Sequence, residues 1–172
     1  METWDIYDVA RNKMNKTMVR GNQLAPGEYH MVVHVCIFNT SGEMLIQQRQ
    51  PFKEGWPDMW DVTVGGSALS GDTSQMAAER ETLEEIGLKL NLENVRPTMT
   101  MNFGRGFDDI YLIEMDVDIR ELSLQYEEVK DVKWASKAEV LEMIEAGTFI
   151  PYEQNLIRLY FDLVNRQGAV RS

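Results

Sequence analysis

The sequence predicts an α/β fold, a mixed sheet covered by helices. Three observations carry that prediction. Short apolar, often β-branched runs bounded by turn residues recur up to residue 64. A helical stretch with three closely spaced glutamates follows a double glycine at 65–66. Two amphipathic helical stretches then follow the last strand-like run, so strands surround one helix and precede two more.

Taken in order, residues 3–8 and 16–20 read as two short strands around a polar turn at 10–15. Residues 21–28 contain Pro26 and Gly27 and read as a loop. The run HMVVHVCIF, His30–Phe38, predicts a strand; the turn signal NTSGE and a second strand at 44–48 complete a hairpin. Residues 50–57, with Pro51, Gly55 and Pro57, form a loop, and 60–64 alternates in strand fashion into Gly65 and Gly66. Beyond the helix, 90–95 connects to strands at 98–103 and 109–117 joined by a turn at 104–108, and Val129–Ala135 is a further strand. Ser136, with Glu139 three residues on, opens a helix through a capping box, and Gly147 stops it. Pro151 stands near the start of a last helix, whose stripe of Leu156, Leu159, Tyr160 and Leu163 reads as core packing. With no internal linker or repeat, the expectation is one unit over 1–172: a strand pair at about 1–28, a core at about 29–135 and C-terminal helices at about 136–168.

A chain of 172 residues, 44% hydrophobic and 26% charged, suits one globular domain with a sizeable core. Its net charge of -11 argues against nucleic acid and against an anionic membrane surface, since both need clustered Lys and Arg. It leaves room for a small phosphorylated substrate when metal ions supply positive charge. Cys36 is the only cysteine, so no intrachain disulfide forms and a reducing cytoplasm is the expected compartment. The apolar run at 31–38 is too short to span a bilayer, and METWDIYD has no signal-peptide character.

The stretch GGSALSGDTSQMAAERETLEEIGL, residues 65–88, organises the rest. Gly65 and Gly66 permit a close backbone approach or φ > 0. Asp72, with Gln75 three residues on, is expected to cap the helix. Met76, Leu83 and Ile86 fall on one side. Glu81, Glu84 and Glu85 fall on the other at i, i+3, i+4, with Ala77 leaving room at the end of their face. Like charges so spaced repel by about a few tenths of a kcal/mol per exposed pair. A hard divalent cation held by oxygen ligands offsets that repulsion, whereas a solvated surface face is the plainer reading. Arg80 can orient one carboxylate through an ion pair, and Gly87 ends the helix as a C-cap does.

The order Gly66, five residues, Asp72, seven residues, then Arg80-Glu81-Thr82-Leu83-Glu84-Glu85-Ile86-Gly87-Leu88 resembles the Nudix box, Gly-x5-Glu-x7-Arg-Glu-U-x-Glu-Glu-x-Gly-U, with U a bulky aliphatic residue. Asp72 replaces a Glu and Thr82 stands at the first aliphatic position, and neither change removes a carboxylate. Gln48-Arg49, Trp60-Asp61 and Trp134 extend the resemblance over most of the chain. It implies a Nudix-type α/β/α sandwich with a central mixed β-sheet. The implied activity is metal-dependent hydrolysis of a diphosphate linkage in a nucleoside diphosphate joined to another moiety, by water attack at phosphorus. Glu81, Glu84 and Glu85 would bind Mg²⁺ or Mn²⁺, with Glu84 the first choice of general base, Glu81 the second, and Arg80 beside them. Gly65, Gly66 and Arg49 are candidate substrate contacts. Glu127 and Glu128 can add a ligand or base, or remain exposed turn charges, and Asp72 is at most a distant member of the site.

Two other readings stay open. The stretch GEYHMVVHVCIFNTSGEMLIQQR resembles isopentenyl-diphosphate isomerase, which shares the fold. That enzyme's Cys position falls on Gly65 and its following His on Gly66 or Ser67, while His30 and His34 alone cannot supply a His-rich metal site. Cys36, inside an apolar strand, reads as core. The third reading is a non-catalytic sensor of a phosphorylated ligand. Residues 50–56 and 104–108 are expected to select the substrate, a small-molecule diphosphate, with Phe52, Trp56 and Phe107 either stacking on a base or packing locally. Arg105 joins Arg49 as a candidate phosphate contact. A homodimer through the N-terminal strand pair is a further expectation.

Overall fold

A computed structural model describes residues 2–166, 168 and 170. The expected strand pair starts at residue 1 and the expected helical stretch runs to 168; residues 1 and 167 lie outside the described residues. The elements are β1 (Thr3–Tyr7), β2 (Lys13–Val19), β3 (His30–Phe38), β4 (Met44–Arg49), β5 (Trp60–Asp61), β6 (Val64–Ser67), α1 (Ser74–Ile86), β7 (Met99–Phe103), β8 (Gly106–Glu114), β9 (Val129–Ala135), α2 (Lys137–Glu145) and α3 (Gln154–Leu163), with a 3₁₀ turn at Ile119–Glu121.

β3 is apolar along its length because both faces are covered. Met31, Val33, Val35 and Ile37 belong to the core shared with α1, and Cys36 and Phe38 to the core shared with α2 and α3. This is the alternation of a strand read in a double-sided setting. Along it runs β8, parallel, from His30↔Gly106 to Phe38↔Glu114, while β6 pairs antiparallel and β4 joins only at Phe38↔Met44. β4 then pairs with β5 and β9. The sheet is therefore mixed, in the order β5-β4-β3-β8-β7, with helices on both faces. Fully burying a side chain such as Ile37, Leu45 or Ile46 contributes about 1.5–3 kcal/mol. Among the described residues no helix is long and apolar enough to cross a membrane.

β1 and β2 form a separate two-stranded sheet docked on the stretch before α1. The Asp5 carboxylate accepts from Gly71 N (2.8 Å) and Ser70 Oγ (2.9 Å), and Ser70 N donates to Thr3 O (2.8 Å).

Several expectations are corrected here. The single strand expected at 60–64 is broken into β5 and β6, and β6 takes in both glycines, 65 and 66. Thr73, not Asp72, caps α1, accepting from Met76 N (3.2 Å). The buried face of α1 is Ser74, Ala77, Ala78, Thr82, Glu85 and Ile86, while Met76 and Leu83 are half exposed. Small side chains let this helix sit close to β3 and β6, so bulk is a poor guide to its inward face. Ala77 is accordingly core, and Thr82, fully buried, satisfies its hydroxyl on Ala78 O (2.7 Å). Gly87, in the left-handed region at φ 71°, closes the helix as expected, and Ser136 with Glu139 forms the capping box. In α3 the inward residues are Ile157 and Tyr160, whereas Leu159 is exposed. The turn at 104–108 contracts because β8 already begins at Gly106, and this buries Phe107 against Tyr7 and Tyr29.

Candidate active site

The consecutive glycines of β6 open space on opposite faces of the strand. Their neighbours on β3 are His34 for Gly65 and Val33 for Gly66. A Cβ on Gly66 would stand 2.2 Å from Glu81 Cδ, and one on Gly65 would stand 2.6 Å from the His34 ring. Neither has a positive φ. The glycines are needed for absent bulk, not for backbone freedom: one admits a carboxylate from α1 and the other an imidazole from β3.

Those groups line one cleft of about 670 Å³, together with Gly65, Gly66, Arg49, Arg80, Glu84, Glu85, Glu127 and Glu128. The expected metal, catalytic and loop carboxylates, Arg80, both glycines, Arg49 and Phe52 are therefore brought together, whereas Asp72, Trp56, Arg105 and Phe107 do not line the cleft. Asp72 is outside the lining and accepts from Arg80 Nη2 (3.0 Å) and Nε (3.3 Å), and Arg80 Nη2 also donates to Ser67 O (3.1 Å). So anchored, Arg80 Nη1 donates to Glu81 Oε1 (2.9 Å) and Glu84 Oε2 (3.2 Å).

The three glutamates differ sharply in exposure. The Glu84 side chain is 52% exposed and that of Glu81 15%, while Glu85 as a residue is 6% exposed. Burial pushes the Glu81 carboxyl upward, with Glu84 adding to the effect and Arg80 opposing it. Burial pushes Glu85 to about 8, against the pull of the Gln47 amide that donates to it at 2.9 Å; Glu81, Glu128 and Asp61 push the same way as burial.

The opposite wall is two loops tied together. Gln50 N donates to Glu128 O (3.1 Å), Lys53 Nζ meets Glu128 Oε2 (2.5 Å), and the Phe52 and Tyr126 rings stand 5.8 Å apart. Arg49 is held by Gly55 O (2.9 Å) and lies 3.9 Å from Asp61. The expected selecting segment at 104–108 takes no part in the lining, and Arg105 donates instead to Ala25 O (3.2 Å).

Sequence reasoning missed His34 with its partner Asp108, Gln47, Lys53, Gln125, and the Glu2–Arg20 pair that the N-terminal hairpin brings to the rim. Only the period-2 register of β3 and β6 could have signalled His34. Burial is the largest influence on its ring and lowers its basicity, but the hydrogen bond and charge of Asp108, with Asp61 and Glu85 behind, raise it overall.

Among the described residues no three His, Cys, Asp or Glu side chains already converge on one point as a metal cage, because the Arg80 guanidinium sits between Glu81 and Glu84. The donor set nonetheless fits a hard cation. It offers carboxylate oxygens on one helix face, one of them in a cradle a Cβ would fill, and a buried Glu85 whose ionisation waits on positive charge.

The family model for the NUDIX domain matches residues 28–158. The chain belongs to the Nudix hydrolase family. An uncharacterized Nudix hydrolase of Listeria innocua is 50% identical over 152 residues, 88% of this chain and 90% of that protein. An isopentenyl-diphosphate Delta-isomerase of Nocardia farcinica is 26% identical over 176 residues, 97% of this chain and 98% of that one. The crystal structure of a Deinococcus radiodurans protein superposes with a TM-score of 0.74 at 22% identity, covering 92% of this chain and 98% of the other, and so shares the Nudix fold. Within that fold the isomerase reading finds no support in the side chains. Cys36 is fully buried in the apolar core, where burial drives its thiol well up, and His30 is stacked on Trp4 at 4.4 Å, outside the cleft.

Proposed function

We propose that the cleft hydrolyses a diphosphate linkage in a small phosphorylated substrate, of the kind in which a nucleoside diphosphate is joined to another moiety. The observation that carries this is the placing of Glu81, Glu84 and Glu85 around a cleft floored by Gly65 and Gly66, with Glu85 nearly buried. Glu81, Glu84 and Glu85 would hold Mg²⁺ or Mn²⁺, which when bound neutralises phosphoryl oxygens and acidifies water. Glu84, the most exposed of the three, takes a proton from the attacking water, and Glu81 is the second candidate. The new bond joins water oxygen to phosphorus, and the bridging P–O bond breaks. Arg80, fixed by Asp72 and Ser67 O, orients Glu81 and Glu84. Asp72 thus acts through Arg80. Gly65, Gly66 and Arg49 contact the substrate, and Glu127 and Glu128 face it from the loop wall. The hairpin, the core and the C-terminal helices work as one unit.

A screen of nucleoside diphosphates, nucleotide sugars, dinucleotides and prenyl diphosphates tests this. Expected is Mg²⁺-dependent release of phosphate or a nucleoside monophosphate, lost in Glu84→Gln and retained in Cys36→Ala. Conversion of isopentenyl diphosphate to its isomer, lost in Cys36→Ala, would favour the isomerase, and tight binding with no turnover in any metal would favour a sensor.

A further inference from the structure

The carboxylates leave His34 without a role, yet its geometry is specific. Nδ1 lies 2.8 and 2.9 Å from the two oxygens of Asp108, on the neighbouring strand β8. A carboxylate only accepts, so Nδ1 carries a proton toward it and Nε2 is left for another partner. Among the described residues Nε2 has none, and the buried side-chain atoms without a partner are Trp4 Nε1 and His30 Nδ1, so Nε2 is open to the cleft that His34 lines. Its access depends on Gly65, since a Cβ there would stand 2.6 Å from Nε2. Around it Asp61 and Glu85 offer acceptors, and the Gln47 amide is already engaged with Glu85. An incoming phosphoryl oxygen on this part of the floor requires a donor.

We propose that His34 is a phosphate-binding residue: as an imidazolium it gives Nδ1–H to Asp108 and Nε2–H to a phosphoryl oxygen of the substrate, with Asp108 as the positioning residue that holds the ring. The inference rests on the reading of the cleft as a diphosphate site. His30, four residues earlier on the same strand face, shows the other use of the residue. It stacks on Trp4, meets Phe103 edge-on at 5.5 Å and lies outside the cleft.

The chain has two histidines, so its imidazole ¹⁵N spectrum contains two ring systems. Metal-free labelled protein is titrated with inorganic diphosphate, and separately with Mg²⁺ alone. The expected result is a shift of the His34 Nε2 signal with diphosphate, an unmoved His30, and a weakened response in Asp108→Asn. With a turned-over substrate, His34→Gln raises KM about tenfold or more and changes kcat less. His34 signals unmoved by diphosphate would overturn the proposal, as would an equal shift with Mg²⁺ alone, which would make the residue a metal ligand. Turnover without the shift sinks this inference and leaves the hydrolase reading standing; a shift without turnover does the reverse.

Discussion

The two walls of the cleft are built by different means. One is β6 and α1, regular elements adjacent in sequence, with Glu81 seated over Gly66 and Arg80 clamped by Asp72. The other is two loops about 75 residues apart in the chain, joined by Lys53–Glu128, Gln50–Glu128 and Phe52–Tyr126. The first wall concentrates carboxylates at an energetic cost that the proposed Mg²⁺ or Mn²⁺ would offset. The second offers a partly exposed aromatic surface suited to a substrate's non-phosphate moiety. Chemistry should therefore fail when the first wall is altered, and selection should drift when the second is.

The largest expected effect is that of Glu84→Gln, a fall in kcat of about 10²–10⁴-fold if it removes the general base. A fall of only a few-fold would move that role to Glu81 or to the loop wall. Next is Glu85→Gln. Its carboxyl titrates at about 8 in the folded protein against an ordinary 4.5, so the folded state binds the extra proton between those values. Stability of the metal-free protein should therefore fall as pH rises through that window. Glu85→Gln should flatten the fall, raise the urea midpoint at pH 8 and weaken Mg²⁺ binding, as urea melts at several pH values and Mg²⁺ titrations can show. An unchanged pH slope would mean Glu85 ionises normally. Gly66→Ala should cost about 1–3 kcal/mol of overpacking and displace Glu81, read as a lower melting temperature together with lost turnover.

Across the cleft, Phe52→Ala should reorder the preferred substrates by about tenfold or less while the best kcat is kept, given roughly 0.5–1.5 kcal/mol for an aromatic pair. Lys53→Met should do least, since a partly exposed ion pair contributes about 0–1 kcal/mol. A large kcat loss from either would erase the distinction between the walls.

The same contrast explains what was legible in the sequence. The box residues announce themselves because a helix and the strand before it fix their relative places within about two dozen positions. The strand boundaries of β3 and β9, the capping box of α2 and the C-cap at Gly87 follow from equally local rules. The capping role of Asp72 was misread because its carboxylate is claimed by Arg80, eight residues on, leaving Thr73 to cap. The inward face of α1 was misread because closeness to β6 selected small residues over Met76 and Leu83. His34, Asp108 and Gln47 were invisible because strand register and long-range packing bring them in, and no spacing in the chain encodes that.

The most direct test follows ¹⁸O from labelled water into product, with a turned-over diphosphate in Mg²⁺ and again in excess chelator. Water attack at phosphorus in a metal-filled carboxylate site predicts one ¹⁸O in a phosphoryl product with Mg²⁺ and no turnover in chelator. Turnover that persists in chelator, or label absent from every phosphoryl product, would contradict it.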